Sequence, residues 1–291
     1  MSSPDVDAGA GLFPPARHIL RDLGMEMETG PGGYHATRMP LVPEVLTPDG
    51  HVQVAVLATL ADLAAATPTL HHVFPDWMAT SDLTACVAAR PESGPLLARP
   101  RVLRAGRTSI VTEVEIVDEG ARGELAVGHS LLAFARIERP EQTRNLLPPD
   151  PTTERTRSSM ARADSAMRRH HHEQTGLRIT DAVAGVVELE RSEYVLNSFG
   201  TVQGGSVATL AEAAAEALVG AATGKAASSV DVSVRYLAQG PRGPYRTAAR
   251  LLRLDETRGQ AWARVEVYDI GSETLMSLVK VALRLADAAP I

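Results

Sequence analysis

The sequence predicts an α+β protein made of two similar domains, each an apolar helix wrapped by an antiparallel sheet. Three observations support this class. The chain of 291 residues contains an internal repeat, each copy holds one helical stretch rich in Ala and Leu, and the segments after each helix alternate apolar and polar residues. Two copies are too few for a solenoid, so the repeat indicates a duplicated domain with pseudo-twofold symmetry.

The repeat is clearest around the helical stretches. Segment 52–62 reads VQVAVLATLAD and segment 202–212 reads VQGGSVATLAE, an offset of 150 residues (203 − 53). Further along the chain, Gly94-Pro95 matches Gly243-Pro244 at an offset of 149 (243 − 94). Small drifts of this kind are expected of diverged copies whose loops differ in length.

The copies set the domain boundaries at 1–138 and 163–291. The segment between them, 139–162, is rich in Pro and polar residues and predicts an exposed linker that becomes helical toward His170. The cluster His170-His171-His172 at its end has no matching Cys, Asp or Glu spacing. We therefore expect a solvated helix end there and no metal site.

Each copy contains a predicted helix that is apolar on nearly every side, at 54–66 and at 205–222. Such helices are normally buried, which in an antiparallel protein means wrapped by a curved sheet. The strands of the second copy alternate with a period of two, as half-buried antiparallel strands do. Their predicted inward residues are Val230, Val232, Val234 and Tyr236, then Ala261, Ala263, Val265 and Val267, then Leu275, Ser277, Val279, Val281 and Leu283.

One carboxylate recurs at the same position of both helices, as Asp62 and Glu212. A carboxylate on a buried helix is costly unless it is paired, solvated in a cleft or shifted in pKa. Either these acids meet water where the helix emerges, or each is a general base or nucleophile facing a cleft. Recurrence among Ala, Leu and Val favours the second interpretation.

Gly204-Gly205 opens the second helix. Glycine allows a ligand to approach the backbone closely, and the first N–H groups of a helix have no partner within it. These groups can donate to an oxygen that gains negative charge. Donors for a carbonyl oxygen, together with a carboxylate eight residues further on, are the parts that thioester hydrolysis requires.

Composition narrows the function classes. The net charge of -6 argues against a nucleic-acid partner, because no excess of Lys and Arg is present to neutralise phosphates. A single cysteine, Cys86, cannot form an internal disulfide and is expected to be a small buried hydrophobe. We expect neither a signal peptide nor a membrane span of about 20 apolar residues. A cytoplasmic protein without metal, cofactor or membrane association is expected.

The stretch 197–205, NSFGTVQGG, followed by Leu210-Ala211-Glu212, resembles the hotdog thioesterases of the phenylacetic-acid-degradation type. The strand 231–237, DVSVRYL, is also similar to that family. The family pattern is Asn, then His-Gly-Gly six residues on, then Leu-Ala-Asp or Leu-Ala-Glu. The spacings hold here, with Gln203 in place of the His. The resemblance covers both halves and is sharpest in the second.

The resemblance implies two fused hotdog domains paired as a pseudo-dimer and acyl-CoA as substrate. It implies a composite site in which the Gly204 amide polarises the thioester carbonyl. Asn197 and Gln203 would position substrate or water, Gly205 would lie against the substrate, and Asp62 of the opposite half would drive hydrolysis. The pairs of a hotdog protein often associate further, so a homodimer of the fused chain is also expected.

A second composite site would join Glu212 to the loop of the first half. There Thr47 replaces the Asn, Gln53 is kept, and Val54-Ala55 replaces Gly-Gly. We therefore expect the Asp62 site to be active and the Glu212 site to be weak or silent, although the sequence also allows the reverse.

Two other functions of related folds can be compared with the sequence. A non-catalytic acyl-CoA-binding or sensing protein on the same fold is consistent with the altered first-half loop and the missing His. An enoyl-CoA hydratase would need an Asp and a His five residues apart ahead of the helix, and no such pair is found. Ala-rich helices and only 4% aromatic residues favour aliphatic over aryl acyl groups.

Overall fold

The computed structural model describes residues 13–148 and 153–286. The helices are α1 (Ile19–Asp22), α2 (Val54–Val73), α3 (His171–Thr175) and α4 (Gly204–Thr223). The strands of the first half are β1 (Glu26–Gly30), β2 (Tyr34–Met39), β3 (Trp77–Val87), β4 (Leu96–Ala105), β5 (Ser109–Asp118), β6 (Leu125–Ile137) and β7 (Thr156–Ser159). Those of the second half are β8 (Arg178–Asp181), β9 (Val186–Leu189), β10 (Ala227–Tyr236), β11 (Tyr245–Asp255), β12 (Gln260–Asp269) and β13 (Thr274–Leu285).

All thirteen strands form one antiparallel sheet, in the order β7-β1-β2-β4-β5-β6-β3-β10-β13-β12-β11-β9-β8. The two halves meet at β3 and β10, which pair from Asp231 opposite Cys86 to Arg235 opposite Asp82. The Arg235 Nε lies 2.8 Å from Asp82 Oδ1 across this joint. The predicted class, two helix-on-sheet domains paired as a pseudo-dimer, is confirmed.

The long helices α2 and α4 pack on the strands of their own halves and contact each other. The first turns of α2, from Val54 to Ala61, are completely buried. By length and composition α2 could cross a membrane, but two thirds of its apolar window is buried inside the protein, as expected of a core helix. It also continues through Pro68 to Val73, beyond the predicted end at residue 66.

Most of the predicted inward strand residues are buried, including Val232, Val265 and Val279. Two were assigned to the wrong face because the strands contain bulges, which shift the alternation by one residue. A bulge in β10 turns Ser229 inward and leaves Val230 partly exposed. A second irregularity, between β12 and β13, buries Met276 where Leu275 was predicted.

The prediction of a solvated helix end at His170-His171-His172 is wrong. His171 has 1% of its surface exposed, and its burial lowers its pKa to about 3, so the ring is neutral. Inside the predicted linker, the exposed residues Thr156–Ser159 form β7 and pair with β1. The segment between the copies thus adds an edge strand to the first half.

Candidate functional site

A cavity of about 330 Å³ lies between the two halves. The first half supplies α2 and the beginning of β3 to its wall, and the segment between the copies supplies residues 146–147. The second half supplies the loop 197–203, the start of α4 and the end of β10. Asp62, Asn197, Gln203 and Gly204 all line it. Four of the six predicted site residues therefore meet in one place, and they come from opposite halves.

Asp62 projects from α2 toward the beginning of β3. The Thr80 hydroxyl donates to Asp62 Oδ1 over 2.8 Å. Burial raises the pKa of Asp62 to about 6, and the Thr80 hydrogen bond opposes that rise. Within the described residues, Oδ2 receives no hydrogen bond. Asp62 is thus a desolvated carboxylate with one oxygen held and the other available to the cavity.

Gly204 is the first residue of α4 and lies against this carboxylate. A Cβ on Gly204 would be 3.4 Å from Asp62 Oδ2 and 2.9 Å from Tyr236 Oη, so a side chain would intrude between them. The Tyr236 hydroxyl donates to the Gly204 carbonyl over 3.0 Å. The N–H of a first helical residue has no acceptor within its own helix. A donor for a developing oxyanion therefore lies beside the carboxylate.

The Asn197 side chain shapes the loop before α4. Its Oδ1 accepts from the Phe199 N–H at 2.9 Å, and its Nδ2 donates to Thr201 Oγ1 at 2.9 Å. These bonds hold the loop against the cavity. Gln203 occupies the N-cap position of α4 without a side-chain capping hydrogen bond and is buried, and its Oε1 has no hydrogen-bond partner within the described chain. That unpartnered acceptor, on a cavity-lining residue, suits a ligand N–H or a water.

Gly205 has a different position from the one predicted for a substrate-binding residue, since it is absent from the cavity wall. A Cβ built on Gly205 would lie 2.0 Å from Thr59 Oγ1 and 2.8 Å from Thr59 Cβ. The glycine thus lets α4 approach α2 closely. The structure gives it a packing role.

Glu212 is completely buried, and both of its oxygens have partners. Its Oε2 is 3.0 Å from His172 Nε2, and its Oε1 accepts from the Ala55 N–H at 3.4 Å. Burial lowers the pKa of His172, but the hydrogen bond and charge of Glu212, together with the charge of Glu216, raise it overall. Glu212 is therefore hydrogen-bonded on both oxygens, whereas Asp62 faces a cavity.

The repeat explains why the two positions differ. Arg169-His170 matches Arg17-His18, so His172 corresponds to Leu20, and Glu216 likewise corresponds to Ala66. Leu20 and Ala66 line the cavity beside Asp62. The equivalent space beside Glu212 receives His172 and the Glu216 carboxylate, whose pKa is raised by burial and by Glu212.

Thr80 and Tyr236 were not among the predicted site residues. The repeat aligns Thr80 with Ser229 at an offset of 149, each after its own long helix, but the Ser229 N–H donates to Glu216 and not to Glu212. Tyr236 lies in the family-like strand 231–237, but its contact with Gly204 depends on how β10 passes the start of α4. Burial raises the pKa of Tyr236 well above its usual value, and the charge of Asp62 adds to this rise. The Tyr236 hydroxyl therefore keeps its proton and remains a hydrogen-bond donor.

Known structures share this architecture. A conserved protein with a hot dog fold from Alicyclobacillus acidocaldarius has a TM-score of 0.57 at 14% identity, covering 88% of this chain and 94% of its own. An acyl-ACP thioesterase from Bacteroides thetaiotaomicron has a TM-score of 0.54 at 11% identity, covering 86% and 97%. A 12:0-ACP thioesterase from Umbellularia californica has 0.55 at 8%, covering 86% and 93%.

At such low identities, the structural similarity shows the fold alone. In sequence, residues 49–124 match the model of the Thioesterase superfamily, a range that includes α2 and Asp62. No curated protein matches the chain. The chain therefore has the hotdog fold, and its segment 49–124 is similar to the thioesterase superfamily.

Proposed function

We propose that the protein is an acyl-CoA thioesterase with one working composite site, built on Asp62 of the first half and Gly204 of the second. One observation carries this proposal: a desolvated carboxylate with a free oxygen lies against the first turn of a helix, on the wall of a cavity. A base and an oxyanion donor at one place are what hydrolysis of a thioester needs. The similarity of residues 49–124 to the thioesterase superfamily supports it.

In the simplest mechanism, Asp62 acts as a general base. Its Oδ2 removes a proton from water as the water oxygen bonds to the thioester carbonyl carbon. The carbonyl oxygen becomes an oxyanion and accepts a hydrogen bond from the Gly204 N–H. As the tetrahedral intermediate collapses, the C–S bond breaks and Asp62 returns its proton to the leaving thiolate. The products are a free acid and a thiol.

Direct attack by the carboxylate is the other route open to Asp62. Oδ2 would then bond to the carbonyl carbon, expel the thiolate and leave a mixed anhydride that water hydrolyses. Hydrolysis in H₂¹⁸O under single-turnover conditions detects this route when water attacks the anhydride at the aspartyl carbon, because ¹⁸O then enters Asp62. Attack at the acyl carbon labels only the released acid, as general-base catalysis does, so trapping of the acyl group on Asp62 with hydroxylamine completes the test.

The hydrolysis itself is tested by release of free thiol. The substrates are saturated acyl-CoA thioesters from acetyl to palmitoyl, phenylacetyl-CoA, and matched acyl-ACP thioesters. Turnover of the CoA series supports the proposal, and turnover of the ACP series alone would correct the carrier. Binding of acyl-CoA without any turnover would instead identify a binding or sensing protein, the alternative suggested by Gln203 in place of His.

The pH dependence of the reaction provides a second prediction. Asp62 must be ionised to act, so kcat/KM should rise with pH through an apparent pKa of about 6. Thr80→Val removes the hydrogen bond that holds the ionised form. The acidic limb should then move upward by roughly one pH unit.

The control for this prediction is Glu212→Gln, which should leave the acidic limb where it is in the wild type. An acidic limb that Thr80→Val does not move would mean that another group controls the rate.

A further inference from the structure

The wall of the cavity is divided between an apolar and a polar side. The first half contributes mainly apolar side chains, among them Phe13, Leu63, Leu70, Trp77 and Phe134, and the segment between the copies adds Leu146. The second half contributes most of the polar ones, among them Asn197, Ser198, Gln203, Tyr236, Gln239 and Ser277. No Lys or Arg of the described chain lines the cavity. On the proposed function, this division places the acyl chain against the first half and the neutral, amide-bearing part of the carrier against the second.

The apolar side extends along α2. Asp62, Ala66 and Leu70 follow one another at helical spacing on the cavity wall. Asp62 and Leu70 are about 12 Å apart along the helix axis. A fully extended chain advances ~1.2 Å per bond, since three backbone bonds span one residue. The wall from Asp62 to Leu70 thus accommodates an acyl chain of about ten carbons.

The segment 139–147, here named the cap segment, covers this apolar side. Leu146 and Leu147 line the cavity, and Leu146 also packs against the hydrophobic core. The Arg139 guanidinium lies 5.0 Å from the Trp77 ring centroid and 5.4 Å from that of Phe74. Cation–π contacts of this kind fix a guanidinium on an aromatic surface.

The same guanidinium holds the cap segment in place. Its Nη2 donates to the Thr143 carbonyl at 2.7 Å and to the Leu146 carbonyl at 2.6 Å. Thr143 is completely buried, and its hydroxyl donates to the Pro140 carbonyl at 2.8 Å. The backbone of Leu146 is thus tied through Arg139 to Trp77, three residues before the Thr80 that contacts Asp62. This arrangement places Leu146 at the Trp77 end of the apolar wall.

We propose that the cap segment sets the upper length limit of the acyl chain, with Leu146 as the residue that determines specificity and medium-length saturated acyl thioesters as the substrate class. The proposal rests on the proposed function and extends it. Every member of an acyl-CoA series carries the same CoA, so a limit set at Leu146 changes how kcat/KM depends on chain length.

The test is a chain-length profile of kcat/KM from acetyl-CoA to palmitoyl-CoA for the wild type, Leu146→Ala and Leu146→Trp. The wild type should peak near ten carbons. Leu146→Ala should move the peak to longer chains, with a gain of about fourfold for each further methylene that enters the apolar wall. Leu146→Trp should move it to shorter chains. Leu252→Ala, which truncates an exposed leucine of β11 away from the cavity, is the matched control and should keep the wild-type profile.

A second readout separates this proposal from the proposed function. Calorimetric titration with saturated fatty acids of the same lengths measures how the cavity accepts chains, whether or not the enzyme turns over. The length of tightest binding should shift in the same two directions. An unchanged profile in both variants, or an equal change in KM at every chain length, would overturn the role of Leu146. Absence of thiol release with intact length-dependent binding would overturn only the proposed function.

Discussion

Replacing Asp62 by Asn should lower kcat for thioester hydrolysis by a factor of about 10²–10⁴, the usual contribution of a positioned general base. Asn keeps the shape of the side chain and can still accept the hydrogen bond from Thr80, but it can neither take a proton from water nor attack the carbonyl. Binding of substrate should change little. The measurement is free-thiol release under saturating acyl-CoA, with KM determined separately.

The thermal stability of the Asp62→Asn variant should not fall with its activity. Burial raises the pKa of Asp62 in the folded protein to about 6, above the value of 3.8 expected in the unfolded chain. The ionised carboxylate therefore destabilises the folded state above about pH 6, and this cost is absent below the pKa of the unfolded chain. The Asn variant lacks this cost. Its Tm should therefore equal or exceed that of the wild type at pH 8, and the difference should disappear near pH 4.

Glu212→Gln is the matched control, because it makes the same type of change at the repeat-equivalent acid. It removes the charged partner of His172 and should lower Tm, while kcat stays within the wild-type order of magnitude. Loss of turnover in Glu212→Gln with retention in Asp62→Asn would reverse the assignment of the two sites.

Gly205→Ala should destabilise the protein by about 1–3 kcal/mol, because overpacking at a close helix contact forces backbone shifts. The added methyl would lie 2.0 Å from Thr59 Oγ1, a separation that only movement of α4 away from α2 can relieve. Gly204 is the adjacent residue, so activity should fall as well. Chemical denaturation monitored by circular dichroism measures the free energy of unfolding.

The same helix provides the control for this substitution. At Gly220, the nearest atom to an added Cβ is the Lys225 carbonyl oxygen at 3.7 Å, an ordinary contact. Gly220→Ala should therefore stabilise by about 0.5–1 kcal/mol, through the higher helix propensity of Ala. Adding Thr59→Ala to Gly205→Ala should restore part of the lost stability. Equal effects at both glycines would show that helix packing is not the cause.

The repeat and the resemblance together predicted the fold and the partners Asp62 and Gly204. Both signals are local in sequence, because each combines a helix start with an acid two turns later. The meeting of these residues across the halves came from the resemblance alone. A Gly-Gly pair before a helix can serve close approach of a ligand or close packing against another helix. The sequence alone favours a substrate contact for Gly205, and only the short separation of α2 and α4 reveals its packing contact with Thr59.

The remaining parts of the site depend on contacts between distant segments. Arg139 holds the cap segment through backbone carbonyls, which no side-chain pattern records. The repeat contains a signal for the burial of His171, because Arg169-His170 matches Arg17-His18 and His171 then corresponds to the apolar Ile19. Three adjacent histidines taken alone are typical of a hydrated surface. The bulges near Ser229 and Met276 cannot be predicted from an alternating pattern, because a bulge interrupts the alternation.

The covalent joining of the two halves has an evolutionary consequence. In a homodimer, every substitution is inherited by both symmetric sites at once, so a change that disables one site disables the other. Here a single chain carries both copies, so each copy can differ from the other. Val54, His172 and Glu216 stand where the pocket of Asp62 has Gly204, Leu20 and Ala66. Fusion of the copies thus allows one pocket to be filled with buried side chains while the other stays open to a ligand.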